Sequence, residues 1–134
     1  MKSAENRRDG ALAEDFAAEY LSGLGHEILC RNFTVRGGEV DIISADGEYI
    51  VFTEVKKRSG DSPLADALAA VTREKVSRIK KCAESYMKSK DAASLSGKKM
   101  RIDVIAVTED GAGGFCVTRH IKRLGTLPKR ARRF

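Results

Sequence analysis

Apolar positions in this chain fall into two helix-like and five strand-like stretches separated by glycine-rich breaks. Leu12, Ala13, Phe16, Ala17, Tyr20, Leu21 and Leu24 recur at three- and four-residue steps, which predicts a helix over residues 10–24 with Gly25 as its stop. Glu14 lies beside that stripe and is expected to reach toward whatever the helix packs on, whereas Asp15 is expected to face water. Residues 27–35 read as a first strand, broken by Gly37-Gly38, and residues 39–44 as a second. Ala45-Asp46-Gly47-Glu48 is a turn with an Asp-Gly signal, and residues 48–56, rich in β-branched and aromatic side chains, form a third strand. Ser62-Pro63 starts a second helix with an N-cap serine and proline at the first helical position. Its stripe is Leu64, Leu68, Val71, Val76, Ile79, Ala83 and Tyr86, running to about Lys88. A loop from Lys90 to Lys99 precedes a strand from Met100 to Thr108, and Asp110-Gly111-Ala112-Gly113-Gly114 turns the chain into a last strand, Phe115 to His120. The order α-β-β-β-α-β-β predicts an α/β fold, a mixed β-sheet flanked by helices.

Length and composition narrow this to one ordinary domain. The 134 residues suffice for one core, and 42% apolar with 33% charged residues fits a folded globular chain. No apolar run is long enough for a membrane helix, and no secretory h-region follows the charged N-terminus. Cys30, Cys82 and Cys116 are odd in number and lack zinc spacing, so buried reduced thiols are expected. A cytoplasmic protein without membrane association is the expectation.

The net charge of +6 is unevenly spread. From His120 to Phe134 the chain carries Lys122, Arg123, Lys129, Arg130, Arg132 and Arg133 and no acid, so 19 basic residues balance 19 acidic ones in the remainder. The expected layout is a neutral domain over residues 1–120 and a basic tail over 121–134. The tail reads equally well as a phosphate-grasping arm or as a solvated terminus.

The candidate chemistry sits on the central hairpin. A two-residue turn at Asp46-Gly47 pairs Ala45 with Glu48 and Ser44 with Tyr49, which sets Asp41 opposite Phe52 and Glu39 opposite Glu54. Glu39, Asp41, Glu54 and Lys56 then share a face, with Asp41 and Glu54 as diagonal neighbours roughly 7–8 Å apart at the backbone. Two acids directly opposite repel each other, and Glu54 interrupts an apolar face through Ile50 and Phe52. A divalent cation resolves that repulsion: Mg²⁺ takes one or two carboxylates and completes its shell with water and phosphate oxygens. Lys56 beside it suits a phosphate or an attacking water. The plainer alternative is a solvated sheet end on which Lys56 neutralises two acids. Three acids and a lysine on one face, with Glu14 nearby on a helix, favour a site.

Gly38-Glu39-Val40-Asp41-Ile42-Ile43, followed by Val51-Phe52-Thr53-Glu54-Val55-Lys56-Lys57-Arg58, closely resembles the bacterial YraN family. That family is grouped with Holliday-junction-resolvase-type endonucleases of the PD-(D/E)XK nuclease superfamily. Gly10 and Glu14, Arg31-Asn32, Lys75 and Arg101-Ile102-Asp103-Val104 match the family pattern in order. The resemblance implies a restriction-endonuclease-like fold and a metal site of Asp41, Glu54 and the Val55 carbonyl, occupied by Mg²⁺ or Mn²⁺. It further implies Lys56 as the catalytic lysine, Glu14 as an added helix-borne acid and Glu39 as an auxiliary. Ala13 stands where many members have glycine, and Thr53 and Lys57 replace the more usual Val and Thr.

Arg31, Arg58, Lys75, Arg130, Arg132 and Arg133 are the candidate nucleic-acid contacts, whereas Lys80 and Lys81 read as a solvated helix face. Arg101 and Asp103, two apart on a strand, read as a simple ion pair, and His26 and His120 as structural. The glycines at 111, 113 and 114 precede a strand and not a helix, so they are not a phosphate loop. Two functions remain open. One is a metal-dependent endonuclease hydrolysing phosphodiester bonds in DNA, with branched or structured DNA in view and a homodimer by analogy with resolvases. The other is a non-catalytic nucleic-acid-binding or assembly module that retains the fold.

Overall fold

The computed structural model describes residues 4–57, 73–95 and 97–122, with the backbone course alone for 4–9 and 90–92. The expected helix start at Ser62-Pro63, the stripe residues Leu64, Leu68 and Val71, and the arginines Arg58, Arg130, Arg132 and Arg133 lie outside the described residues.

In chain order the elements are α1 (Ala4–Gly23), β1 (Glu27–Val35), β2 (Gly38–Asp46), β3 (Tyr49–Lys57), α2 (Arg73–Met87), a 3₁₀ turn (Lys90–Leu95), β4 (Lys99–Glu109) and β5 (Phe115–Ile121). The strands form one five-stranded sheet in the order β1-β2-β3-β4-β5. All neighbours are antiparallel except β3 and β4, which pair in parallel from Tyr49–Lys99 to Lys57–Val107. A parallel pair needs a crossover, and α2 lies in it. This is the α-β-β-β-α-β-β order and the mixed sheet read from the sequence.

Among the described residues, one helix covers each face of the sheet. Ala13, Ala17, Ala18 and Leu21 of α1 pack on Ile42, Ile105 and Val107. Val76, Ile79, Cys82, Ala83 and Tyr86 of α2 pack on Val40, Ile43, Ile50, Phe52 and Ile102. The expected α1 stripe is corrected at its flanks: Leu12 and Leu24 are 47% and 49% exposed, and Ala18 takes part instead. The small alanines let α1 lie close to the sheet, and Phe16 and Tyr20 pack at the margin of that contact. The helix also begins at Ala4, ahead of the expected residue 10. At its other end Gly25 adopts φ +100°, the His26 N–H donates to the Leu21 carbonyl at 3.0 Å and the Gly25 N–H to Ser22 at 3.0 Å. That is the Schellman arrangement glycine permits.

The central hairpin differs from its expected register. Asp46 pairs with Tyr49 and Ile42 with Thr53, so the two-residue turn is Gly47-Glu48 and not Asp46-Gly47. Gly47 takes φ +59° and Glu48 does not go positive, the φ pattern of a turn with glycine at its first central position. Partners are displaced by two residues, which keeps faces intact but moves Glu54 from Glu39 to the level of Asp41.

The regular alternation of faces also fails at Asp41. Val40 packs with the α2 layer and Ile42 with the α1 layer, although they are two apart. On β1, Phe33 pairs with Val40 and Arg31 with Ile42, so Asn32 lies level with Asp41. Asn32 has φ +54°, the one non-glycine residue with positive φ among the described residues. Both strands switch faces together at this pair. The expectation that Glu39 and Asp41 share a regular strand face therefore does not hold, and a cleft at the sheet end gathers them instead.

Candidate active site

An open cleft of ≈ 970 Å³ lies where the first half of α1, the start of β2, the end of β3 and the first turns of α2 meet. Glu14, Glu39, Asp41, Glu54, Val55, Lys56 and Lys75 all line it, together with Lys57 and Arg78. Every acid proposed from the sequence, the strand lysine and the helix lysine are thus brought to one cavity.

Gly38 helps to set that cavity. A Cβ at this position would lie 2.8 Å from both the Arg78 carbonyl oxygen and the Cys82 Sγ. Only glycine lets β2 run this close beneath α2, and the close approach holds Lys75 and Arg78 over the strand end.

Asp41 and Glu54 are the centre of the site, 8% and 6% exposed. The β2–β3 ladder ends at Ile42–Thr53. Beyond it the Val55 N–H donates to Asp41 Oδ2 at 2.7 Å, so a carboxylate replaces a backbone acceptor and is fixed in direction. Burial and the adjacent Glu54 charge push the Asp41 carboxyl from 3.8 up to about 7, against the lowering effect of the Val55 N–H. Glu14 is raised from 4.5 to about 7, by burial first and then by the Asp41 charge, with Arg31 opposing. Burial first, and then their mutual charge, favours the protonated forms of these two carboxyls.

Two lysines attend Glu54. Lys56 Nζ lies 3.7 Å from Oε1 and Lys75 Nζ 3.6 Å from Oε2. Burial works against the Lys75 charge, yet its neighbours, Glu54 and Asp41 among them, more than offset this and raise its pKa.

The donor set suits a divalent cation of the magnesium kind. Among the described residues no three His, Cys, Asp or Glu side chains form a closed metal group. A structural zinc site would need such a group. Mg²⁺ needs only one or two carboxylates and retains waters and phosphate oxygens, and two buried acids opening into a polar cleft offer that.

The other residues singled out in the sequence sit in ion pairs and hydrogen bonds. Arg31 Nη1 meets Asp15 Oδ1 at 2.7 Å and its Nη2 lies 3.9 Å from Glu14 Oε1, so it braces the α1 acids. Asp15, expected to face water, is exposed but engaged in this bridge. Arg101 and Asp103 are more than a simple pair. Arg101 grips Asp103 through two bonds of 2.9 and 3.1 Å and reaches Asp46 at 3.1 Å. His120 Nε2 meets Asp103 Oδ2 at 2.7 Å, and its Nδ1 meets the Tyr20 hydroxyl at 3.1 Å. His26 bonds Ser44 Oγ at 2.8 Å through Nδ1 and lies 3.5 Å from Asp46. This buried chain stitches α1, β2, β4 and β5 together, and its members do not line the cleft. Sequence reading missed the extent of this network, the place of Lys57 in the cleft wall, and the Val55 N–H to Asp41 bond. Arg78, one turn on from Lys75, was signalled by that candidate contact; nothing local announced the rest.

Residues 13–107 match the model of the family described as "Uncharacterised protein family UPF0102". Among similar proteins is a UPF0102 protein of Dictyoglomus turgidum, 40% identical over 102 residues, 76% of this chain and 83% of that one. A UPF0102 protein of Syntrophus aciditrophicus is 41% identical over 108 residues, 81% and 82% of the two chains. One from Mycolicibacterium smegmatis is 42% identical over 109 residues, 80% and 85%.

Proposed function

This chain belongs to the uncharacterised protein family UPF0102, and we propose that it is a metal-dependent endonuclease hydrolysing phosphodiester bonds in DNA. Branched or structured DNA is the substrate class to examine first. The observation that carries this reading is the pairing of buried Asp41 and Glu54 at the mouth of a cleft walled by Lys56, Lys75 and Arg78. A protein with no cation to hold has little reason to bury two acids together, where each disfavours the charge of the other.

In this reading Asp41 and Glu54 hold Mg²⁺ or Mn²⁺, with the Val55 carbonyl as a third donor. The cation supplies Lewis acidity toward a phosphate oxygen and a bound water of lowered pKa. The Val55 N–H keeps Asp41 aimed into the cleft. Lys56, 15% exposed and anchored by Glu54, orients the attacking water and offsets negative charge building on the phosphorus oxygens. Glu14 and Glu39, both lining the cleft, are the carboxylates in reach to take up the proton of that water. Lys75 and Arg78 meet the phosphodiester backbone from the α2 side.

One observation favours the second reading, a non-catalytic nucleic-acid-binding or assembly module: each Glu54 oxygen already has a lysine within 4 Å. The discriminating experiment is calorimetric titration of Mg²⁺ and Mn²⁺ into wild type, Asp41→Asn and Glu54→Gln, beside cleavage assays on duplex, flap and four-way DNA. The endonuclease reading expects binding and cleavage in wild type and loss of both in each variant. Absence of metal binding in wild type would sink it; binding without cleavage of any substrate would favour the module.

A further inference from the structure

Lys75 is the third residue of α2, and its backbone is fixed by the close packing of that helix on Gly38. Its ammonium nevertheless lies in the open cleft, and its side chain is 34% exposed against 15% for Lys56. The two lysines divide the Glu54 carboxylate between them, one on each oxygen. A divalent cation bound by Asp41 and Glu54 needs at least one of those oxygens. It would also repel an ammonium only a few ångströms away. Lys56 is the more enclosed of the two and comes from the same strand as Glu54, so it has less room to leave. Lys75 has a long flexible stem, an open cavity beside it and a neighbouring cation on the same cleft wall, Arg78.

We propose that Lys75 is an exchangeable counter-ion of Glu54. It neutralises the buried carboxylate while the site holds no divalent cation, and yields its oxygen when one binds. Its ammonium then turns to a phosphate oxygen of the nucleic acid in the cleft. The inference rests on the metal-site reading above and assigns Lys75 a positioning role in it. Lys75 thereby couples the two ligands. It competes with the cation when nucleic acid is absent and assists phosphate binding once the cation is in place, so an empty cleft loads metal weakly and a substrate-filled one more tightly.

The test is Mn²⁺ titration by calorimetry, without nucleic acid, of wild type, Lys75→Gln and Lys75→Arg. It is paired with binding of a DNA oligonucleotide in Ca²⁺, and thermal melts confirm that each variant is folded. Lys75→Gln is expected to bind Mn²⁺ about fivefold more tightly, the size of a unit-charge effect at this range under near-aqueous screening. That gain should shrink at high salt. The same variant should bind the oligonucleotide more weakly. Lys75→Arg, which keeps the competing charge, should stay near wild type in Mn²⁺ affinity. A lysine that merely supports the fold would loosen both ligands together. If wild type binds Mn²⁺ and Lys75→Gln binds it equally or less well, the exchange is overturned while the metal site stands. If neither protein binds Mn²⁺, both readings fall.

Discussion

Asp41 and Val55 are joined across the frayed end of a hairpin, the backbone N–H of one on the carboxylate of the other at 2.7 Å. The bond orients Asp41 but does not offset its burial beside Glu54, and its carboxyl is pushed up to about 7. Glu14, across the cleft, is raised to about the same value.

The pH dependence of stability follows from these two groups. Both have folded-state pKa values above their ordinary 3.8 and 4.5. Their protons therefore favour the folded state fully below about pH 4, and that contribution fades as pH rises toward 7. The melting temperature of the metal-free protein should fall over this window on their account. Asp41→Asn should flatten the fall, and saturating Mg²⁺ should raise the melting temperature chiefly at the high-pH end. Thermal melts at intervals from pH 4 to 8, with and without Mg²⁺, check this. An identical slope in wild type and Asp41→Asn would show that Asp41 does not carry it.

Gly38→Ala is expected to be destabilising despite the small change. Its Cβ would meet the Arg78 carbonyl, a backbone atom on a packed helix, and the buried Cys82 sulfur, each at 2.8 Å. Overpacking of this kind costs about 1–3 kcal/mol. Since α2 must lift to relieve it, Lys75 and Arg78 should shift over the site as well. Equilibrium urea unfolding gives the stability change. Gly47→Ala, with open space around its Cβ but φ +59°, separates backbone strain from this contact.

Asn32 makes the face switch possible, and its substitution tests whether the site depends on it. At φ +54°, asparagine is tolerated and glycine is free of strain, whereas a β-branched residue pays a penalty of about 1–2 kcal/mol. Asn32→Gly should keep stability and divalent-cation affinity close to wild type. Asn32→Val should lower stability and, by straightening β1 against β2, weaken Mn²⁺ binding at Asp41. Denaturation curves beside calorimetric titration measure the two effects separately.

The sheet was legible because its strands carry β-branched runs bounded by glycine turns, and the helices because their packed faces repeat at helical spacing. The acidic cluster was legible too, partly through a compensation. The turn register was displaced by two residues, and a displacement of two returns every side chain to the face it started on. What sequence could not show was the simultaneous switch of faces at Asn32 and Asp41, since one asparagine in an otherwise ordinary strand gives little warning of a positive φ. Long-range partners stayed hidden for a related reason. Tyr20, His120 and Asp103 come from three elements, and only the completed packing of α1 on β4 and β5 makes them neighbours.

That network supplies the last prediction. Arg101 is 4% exposed and Asp103 fully buried, and the guanidinium holds the carboxylate through two bonds. Replacing Arg101 by Met takes both guanidinium bonds from Asp103, which keeps its bond to His120, and removes the guanidinium from Asp46. Breaking a buried pair from one side typically costs about 3–5 kcal/mol, a large share of what a domain this size has. Taking away the Asp103 charge as well should recover part of the loss, so Arg101→Met with Asp103→Asn should be more stable than Arg101→Met alone. Urea unfolding of the two single variants and the double variant measures this coupling. Because none of these residues lines the cleft, the folded fraction of each variant should bind Mn²⁺ as wild type does. Altered affinity in a fully folded variant would mean that the network reaches the metal site.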